Sequence, residues 1–266
     1  MLLNIRHVSH YAYEDPAPYV VQRLRLRPPT VPGQTVRSWE LAIEGGEPEV
    51  SYVDGFGNRT DLVQHARRTS AITIVASGAV EVEDRAGVLG PVYGYAPPWL
   101  FERETPLTAP GPRVRALADD VSKGQERLTL LHDLMGATHA ALAYTPGATS
   151  VTTDAESALE TGQGVCQDHS HVFLSAARLL GIPARYVSGY LMMEGVEEQT
   201  ASHAWAEAHV DGLGWVGFDA ANDICPNDRY VRLATGLDYR DAAPISGVRH
   251  GGGTAESLAV RINVGQ

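Results

Sequence analysis

The chain has 266 residues, 44% of them hydrophobic, with a formal charge of −11. A chain of that length buries roughly three-quarters of its unfolded surface, enough for one large or two modest domains. With 21 Lys and Arg against 32 Asp and Glu, it lacks the clustered cations that nucleic acid or an anionic membrane requires, so neither is an expected partner.

Residues 2–27 alternate polar with apolar or aromatic side chains, as in LNIRHVSHYAY and VVQRLRLR, and prolines at 16, 18, 28 and 29 cut the runs. Period-two patterning with turn punctuation predicts half-buried strands. SWELAIEG, RTDLVQHA and SAITIVASGAVEVED continue it, with VDGFGN as a turn cluster. Residues 1–86 therefore read as an antiparallel β domain. The opening MLLNIRHVSHYAYEDP shows no cationic segment followed by an apolar run, and no stretch downstream approaches about 18 consecutive apolar residues, so a cytoplasmic location is expected.

Residues 87–112 are rich in Pro, Gly and aromatics (GPVYGYAPPWL, TPLTAPGP) and read as an ordered, irregular connector. Spacings of three and four at Val114, Leu117 and Val121, then at Leu128, Leu131, Leu134 and Met135, predict two helices broken near Gly124. After the AYTPGATS loop, TDAESALETGQG reads as a short helix capped by Thr153 or Asp154 and ended by Gly162 and Gly164. CQDHSHVFLSAARLLGI carries apolar residues at Val172, Phe173, Ala176, Leu179 and Leu180, and Gly181 with Pro183 stops it. A helix thus begins at or just after Cys166. ARYVSGYLMM, SHAWAEAHV and WVGFDA have strand character, DGLG is a turn, and ESLAVRINV alternates as one more strand. Residues 113–266 form an α+β core with C-terminal strands in this reading.

Cys166 and Cys225 are the two cysteines, too few for a disulfide framework, although one bridge between them stays open; a reducing compartment is the default. Three readings of Cys166 compete: a packed small residue, a metal ligand beside His169 and His171, or a nucleophile. Histidines two positions apart point about 200° apart around a helix, so both cannot share an ion with Cys166. No CxxC or HExxH accompanies them, and no metal is expected. Packing leaves the flanking glycines unexplained. A thiol at a helix N-terminus meets free N–H groups and the positive end of the helix dipole, which favour the thiolate.

A nucleophilic cysteine needs a base, and the base needs an orienting acceptor. His203 opens the strand ASHAW, and Asp219 closes its partner strand at GFDA. With a three-residue loop, Asp211 to Leu213, residue 205 faces 219 and His203 lies diagonal to Asp219 on one face. A two- or four-residue loop would turn them to opposite faces unless a bulge intervened. Asp219 could instead cap the DAAND turn. His169, His171 and His209 read as structural or solvent-facing, Trp205 and Trp215 as core, although an aromatic beside a catalytic pair can shield it from water. Cys225 has no evident base.

GVCQDHSHVFLSAARLLGIPARYVSGYL, ASHAWAEAHVDGLGWVGFDAAND and DYRDAAPISGVRHGGG resemble the bacterial transglutaminase-like proteins of the cysteine protease type, and YAYEDP, QRLRLRPP and DGFGN resemble the β region those proteins carry ahead of the core. The resemblance implies a papain-like, transglutaminase-like core with the nucleophile at a helix N-terminus packed on an antiparallel sheet. It implies a triad of Cys166, His203 and Asp219 acting on peptide or protein amides through a thioester. Gln167 and Asp168 match the motif after the nucleophile and are expected to support it; Tyr144 and Trp205 are candidate cleft residues. His169 and Ser170 stand where the family has Phe and Ala, and Ala220 and Ala221 where it has Pro and Thr. No cofactor is expected, and no loop has the oxygen-ligand spacing that calcium needs. The alternative is a peptide-binding or scaffolding module with a silent triad.

Overall fold

In a computed structural model, residues 1–65, 68–91, 96–196, 198–250 and 256–266 are described. The N-terminal part contributes β1 (Leu2–Ala17), β2 (Tyr19–Leu24), β3 (Gln34–Glu44), β4 (Gly46–Val53), β5 (Arg59–His65) and β6 (Thr69–Val82). There follow β7 (Val88–Gly90), α1 (Pro112–Val121), α2 (Arg127–Ala141), β8 (Ala143–Tyr144), α3 (Ala155–Thr161), β9 (Gln163–Gly164) and α4 (Cys166–Leu179). The chain continues through β10 (Ala184–Leu191), β11 (His203–Val210), β12 (Gly214–Phe218), β13 (Tyr230–Gly236), α5 (Tyr239–Ala242), β14 (Ile245–His250) and β15 (Glu256–Gly265).

Two four-stranded sheets, β15-β1-β6-β3 and β14-β2-β5-β4, build the N-terminal region. The alternation seen in sequence is the burial pattern: Leu3, Ile5, His7, Ser9, Tyr11 and Tyr13 point inward along β1. Pro16 does not end the strand; β1 runs through it, and the pairing with β6 shifts register between Ala12 and Ala17. An irregularity of that kind is where a residue without an N–H is tolerated.

The end of the chain corrects the expected boundary at 113–266. β14 pairs with β2, and β15 pairs with β1 from Asn4 opposite Gly265 to Tyr13 opposite Glu256. The last two strands therefore belong to the N-terminal sheets. They cover the free edges of β1 and β2, whose unpaired backbone groups would otherwise be open to another chain. The connector also holds more structure than expected, since β7 pairs with β12 and a 3₁₀ turn spans Pro98–Glu102.

The core is a five-stranded antiparallel sheet, β13-β10-β11-β12-β7, with α4 against β11. Ala204, Ala206 and Ala208 of β11 are buried with Val172, Phe173 and Ala176 of α4 in one apolar cluster, and these small residues let the helix come close to the sheet. β13 has no alternation to read, because all seven of its residues are buried; such a strand carries no period-two signal. No helix among the described residues is long and apolar enough to cross a membrane.

β13 is an edge strand, and side-chain amides from the N-terminal region occupy its outer backbone groups. Asn58 Nδ2 donates to the Thr235 carbonyl at 2.7 Å while Thr235 N–H donates to Asn58 Oδ1 at 2.8 Å. Gln34 does the same at Arg232, accepting from its N–H at 2.7 Å and donating to its carbonyl at 3.0 Å. Asn58→Ala leaves a buried donor and acceptor of β13 without partners, which costs about 1–3 kcal/mol each. Denaturant unfolding should show a loss of about 2–6 kcal/mol; an unchanged midpoint would mean that water replaces the amide.

Candidate active site

Cys166 is placed by a chain of local devices. Asp154 caps α3 by accepting from Ser157 N–H at 2.7 Å, and Gly162 ends that helix in the left-handed region at φ 64°. β9 follows, pairing in parallel with β8. The chain then turns at Val165 into α4, whose first residue is Cys166, 8% exposed. Asp168 secures this first turn: its Oδ2 accepts from Val165 N–H at 2.8 Å and from the Thr149 hydroxyl at 2.6 Å. Desolvation of the Asp168 carboxyl outweighs these bonds and lifts its pKa above the ordinary value.

His203 and Asp219 are placed by the β11–β12 hairpin. Val210 pairs with Gly214 and Ala206 with Phe218, so the loop has three residues and His203 lies diagonal to Asp219. His203 Nε2 is 2.7 Å from Asp219 Oδ2. That leaves Nδ1 as the ring nitrogen available to Cys166, whose charge bears on the imidazole. Burial pulls the His203 pKa down, but the charge on Cys166, the bonds to Asp219 and Cys166 and the charge on Asp219 together raise it to about 10. Burial pushes Asp219 up, and bonds from His203, Asn222 and Tyr230, with the imidazole charge, bring it net below the ordinary value.

Asp219 is the hub. Its Oδ2 accepts from Tyr230 O–H at 2.8 Å and from Asn222 Nδ2 at 2.7 Å, and its Oδ1 accepts from Ala221 N–H at 3.0 Å. It therefore orients His203 and also organises the DAAND turn. Trp205 is buried, with its ring stacked beside His203 at 6.3 Å and edge-on to Tyr230 at 5.5 Å. It shields one flank of the imidazole and, with Tyr230, lines a pocket against Gln34 and Arg232. Gly189, opposite His203 on β10, makes room for this indole: a Cβ there would lie 2.6 Å from Trp205 Cη2.

The histidines beside Cys166 serve packing. His169 has Nδ1 2.9 Å from the Val165 carbonyl and Nε2 3.1 Å from that of Leu142. His171 accepts from Tyr239 N–H at 3.2 Å, and burial pulls its pKa down to about 4. No group of three metal-binding side chains occurs among the described residues. Gln167 is half-buried next to the nucleophile and makes none of the bonds above. Tyr144 is exposed, with its ring 6.1 Å from that of His169, and burial of its hydroxyl, with the charge of Cys166, pushes its pKa up to about 12. Both cysteines are free; burial raises the Cys225 thiol. Sequence reasoning missed Thr149, Asn222 and Tyr230. Asn222 stands three residues after Asp219 in DAAND, a spacing that could have found it; Tyr230 lies on β13, which gave no strand signal.

Residues 115–220 match the transglutaminase-like superfamily, and residues 3–81 match the bacterial transglutaminase-like N-terminal region. The chain thus carries a transglutaminase-like core behind a bacterial transglutaminase-like N-terminal region. Among solved structures it is similar to "a Putative Cysteine Protease from Cytophaga hutchinsonii", with a TM-score of 0.81 at 19% identity, covering 100% of this chain and 90% of that one. It is 29% identical to an uncharacterized protein of Mycobacterium leprae, covering 96% of this chain and 95% of the relative. An uncharacterized Mycobacterium tuberculosis protein is 24% identical over 98% of this chain and 91% of its own length.

Tyr230→Phe removes one charged hydrogen bond to Asp219 and should cost about 1.5–3 kcal/mol at neutral pH. Because the Asp219 pKa lies below its ordinary 3.8 in the folded protein, carboxylate stability is present above that value and lost as pH falls through the folded pKa. The gap between wild type and variant should therefore close below about pH 3.8 in urea titrations; a gap that persists in acid would place its origin in packing.

Proposed function

We propose that the protein is a thiol enzyme of amide bonds, a peptidase, amidase or acyltransferase, in which Cys166 is the nucleophile, His203 the base and Asp219 the orienter. One observation carries this reading: an imidazole bound at 2.7 Å to a buried carboxylate, beside a helix-leading cysteine whose charge bears on it. Cysteine, histidine and carboxylate are the groups that nucleophilic catalysis by a thiol calls for.

The chemistry follows from the arrangement. Sγ attacks the amide carbonyl carbon, a C–S bond forms, and the carbonyl π pair moves onto oxygen. The N–H groups that lead α4 have no preceding turn to serve and face that oxygen's charge. Collapse restores the carbonyl, breaks the C–N bond and expels the amine, which takes its proton from the His203 imidazolium. The resulting thioester is then attacked by water or by an amine, deprotonated by the same imidazole, and Sγ is released. Water as acceptor makes the enzyme a hydrolase and an amine makes it a transferase.

Peptide amides and γ-glutamyl amides, assayed with and without added primary amine, separate the two outcomes. Cys166→Ala should lower turnover by about 10⁴-fold or more; retained activity would remove Cys166 from the mechanism. His203 with a pKa of about 10 keeps its proton through neutrality, so turnover should fall as pH passes that value. By NMR, the imidazole should titrate near 10 in wild type and lower in Cys166→Ala, where the sulfur's charge is gone. A ring that titrates near 6.5 in both proteins would show that sulfur and imidazole do not share charge.

A further inference from the structure

A buried charge cluster on the core sheet is out of balance. Ala204, Ala206 and Ala208 of β11 pack with α4, so Trp205 and Glu207 face the other side of the sheet. Glu207 Oε2 accepts from Arg185 Nε at 2.7 Å, and its Oε1 meets Arg232 Nη2. Both carboxylate oxygens are thus engaged. Arg232 Nη1 is buried and has no hydrogen-bond partner among the described residues. Glu207, Arg185 and Arg232 are 1%, 7% and 8% exposed, so two guanidiniums share one carboxylate away from water, an excess of one positive charge. An uncompensated buried charge is costly. Burial, with the charge of Arg185 beside it, pushes the Arg232 pKa well below its ordinary value.

Arg232 lines a cavity of about 70 Å³ between the N-terminal region and the core sheet, together with Gln34, Trp205, Asn227 and Tyr230. That is room for a group of a few heavy atoms. The Gln34 amide is engaged with the Arg232 backbone and the Tyr230 hydroxyl with Asp219, so neither serves Nη1. Glu83 and Arg85 also line the cavity; both are exposed, and their opposite charges offset.

We propose that this cavity binds a carboxylate, which accepts a hydrogen bond from Arg232 Nη1 and balances the charge of the Arg185–Glu207–Arg232 cluster. A planar guanidinium matches a carboxylate in shape and charge. One negative charge cancels the excess, whereas a doubly charged phosphate would overshoot it and is bulkier. The carboxylate belongs either to a small free acid or to the end of a peptide. Trp205 and Tyr230, which wall the cavity, also flank the His203 ring, so the site adjoins that residue without involving Cys166. It stands independently of the acyl chemistry proposed above.

Thermal unfolding of the full chain in sodium acetate and in sodium chloride, at equal ionic strength and neutral pH, tests the site. Acetate at about ten times its dissociation constant should raise the midpoint by about 3–6 °C, and chloride should not. N-acetylglycine against N-acetylglycinamide separates the two sources. A rise with the acid alone admits a peptide end, and a rise with acetate but with neither of these confines the site to small free acids. Arg232→Gln leaves Glu207 balanced by Arg185 alone and should abolish the acetate response. Should that variant fail to fold, Val31→Phe, at a half-buried position of the cavity wall, should weaken the response by filling the space. Equal rises in acetate and chloride would show a general salt effect, and no rise in either would leave Nη1 to water. Each of these, like a full acetate response in a folded variant, overturns the inference.

Discussion

The enclosure of α4 governs the architecture. Twelve of its 14 residues are buried, six of them polar or charged beyond the cysteine: Asp168, His169, Ser170, His171, Ser175 and Arg178. A helix so deeply enclosed is costly unless its polar groups find partners. Those partners come from all around the core. Ser175 donates to the Thr108 carbonyl, His171 accepts from Tyr239 N–H, and Arg178 donates to the carbonyls of Phe101, Ala184 and Leu237 and to the Thr108 hydroxyl. Segments that have little regular structure of their own are thus fastened to one helix. The same fastening fixes its first residue, so that Cys166 sits at the end of a rigid rod.

The second fixed body is the β11–β12 hairpin, and its contribution depends on an odd count. A loop of three residues brings Val210 opposite Gly214, at φ 77°, and so sets His203 and Asp219 on one face. One residue more or fewer would reverse every side chain beyond the turn. Helix and hairpin meet through Ala204, Ala206 and Ala208, where close packing leaves little play. The separation of sulfur and imidazole is therefore set by packing at a distance from either, the condition under which geometry survives the binding of a substrate.

How much of this was legible in the sequence follows from where the signals are local. The cap of α3, the glycine that ends it and the helix starting at Cys166 are each written within a few residues, whereas the turn length that aligns His203 with Asp219 stays open between three residues and two or four until the pairing of Val210 with Gly214 fixes it. The resemblance in three separated motifs joined these pieces. What was illegible is long-range. β13 is buried on both faces and has no alternation; β14 does not read as a strand, and β15 reads as a strand of the core because sequence order says nothing about which edge a strand will find. Tyr230 and Thr149 are far from the residues they bond, and neither has a neighbour in sequence that betrays the role. Tyr144 could be named as a cleft residue, but its relation to Cys166 runs through the pairing of two-residue strands.

The N-terminal region is joined to the site through β13. Gln34 fixes the backbone of Arg232 and Asn58 that of Thr235. Tyr230, at the start of the same strand, donates to Asp219. A strand held by side-chain amides from one region thus presents a hydroxyl to the carboxylate that orients His203. Tyr190 and His7 make a second tie at 3.0 Å, and burial lowers the His7 pKa to about 4, so this contact stays uncharged through neutrality. The apolar clusters run together here as well: Tyr190, Val231 and Leu233 of the core sheet pack with Leu3, Ile5 and Ile74 of the N-terminal sheets. The N-terminal sheets are therefore part of what holds Tyr230 in place, and a change at Asn58 has a physical route to Asp219 along one strand. β15 closes the edge of β1 in the same sheets, which ties the last residues of the chain to a site whose side chains all come from its middle.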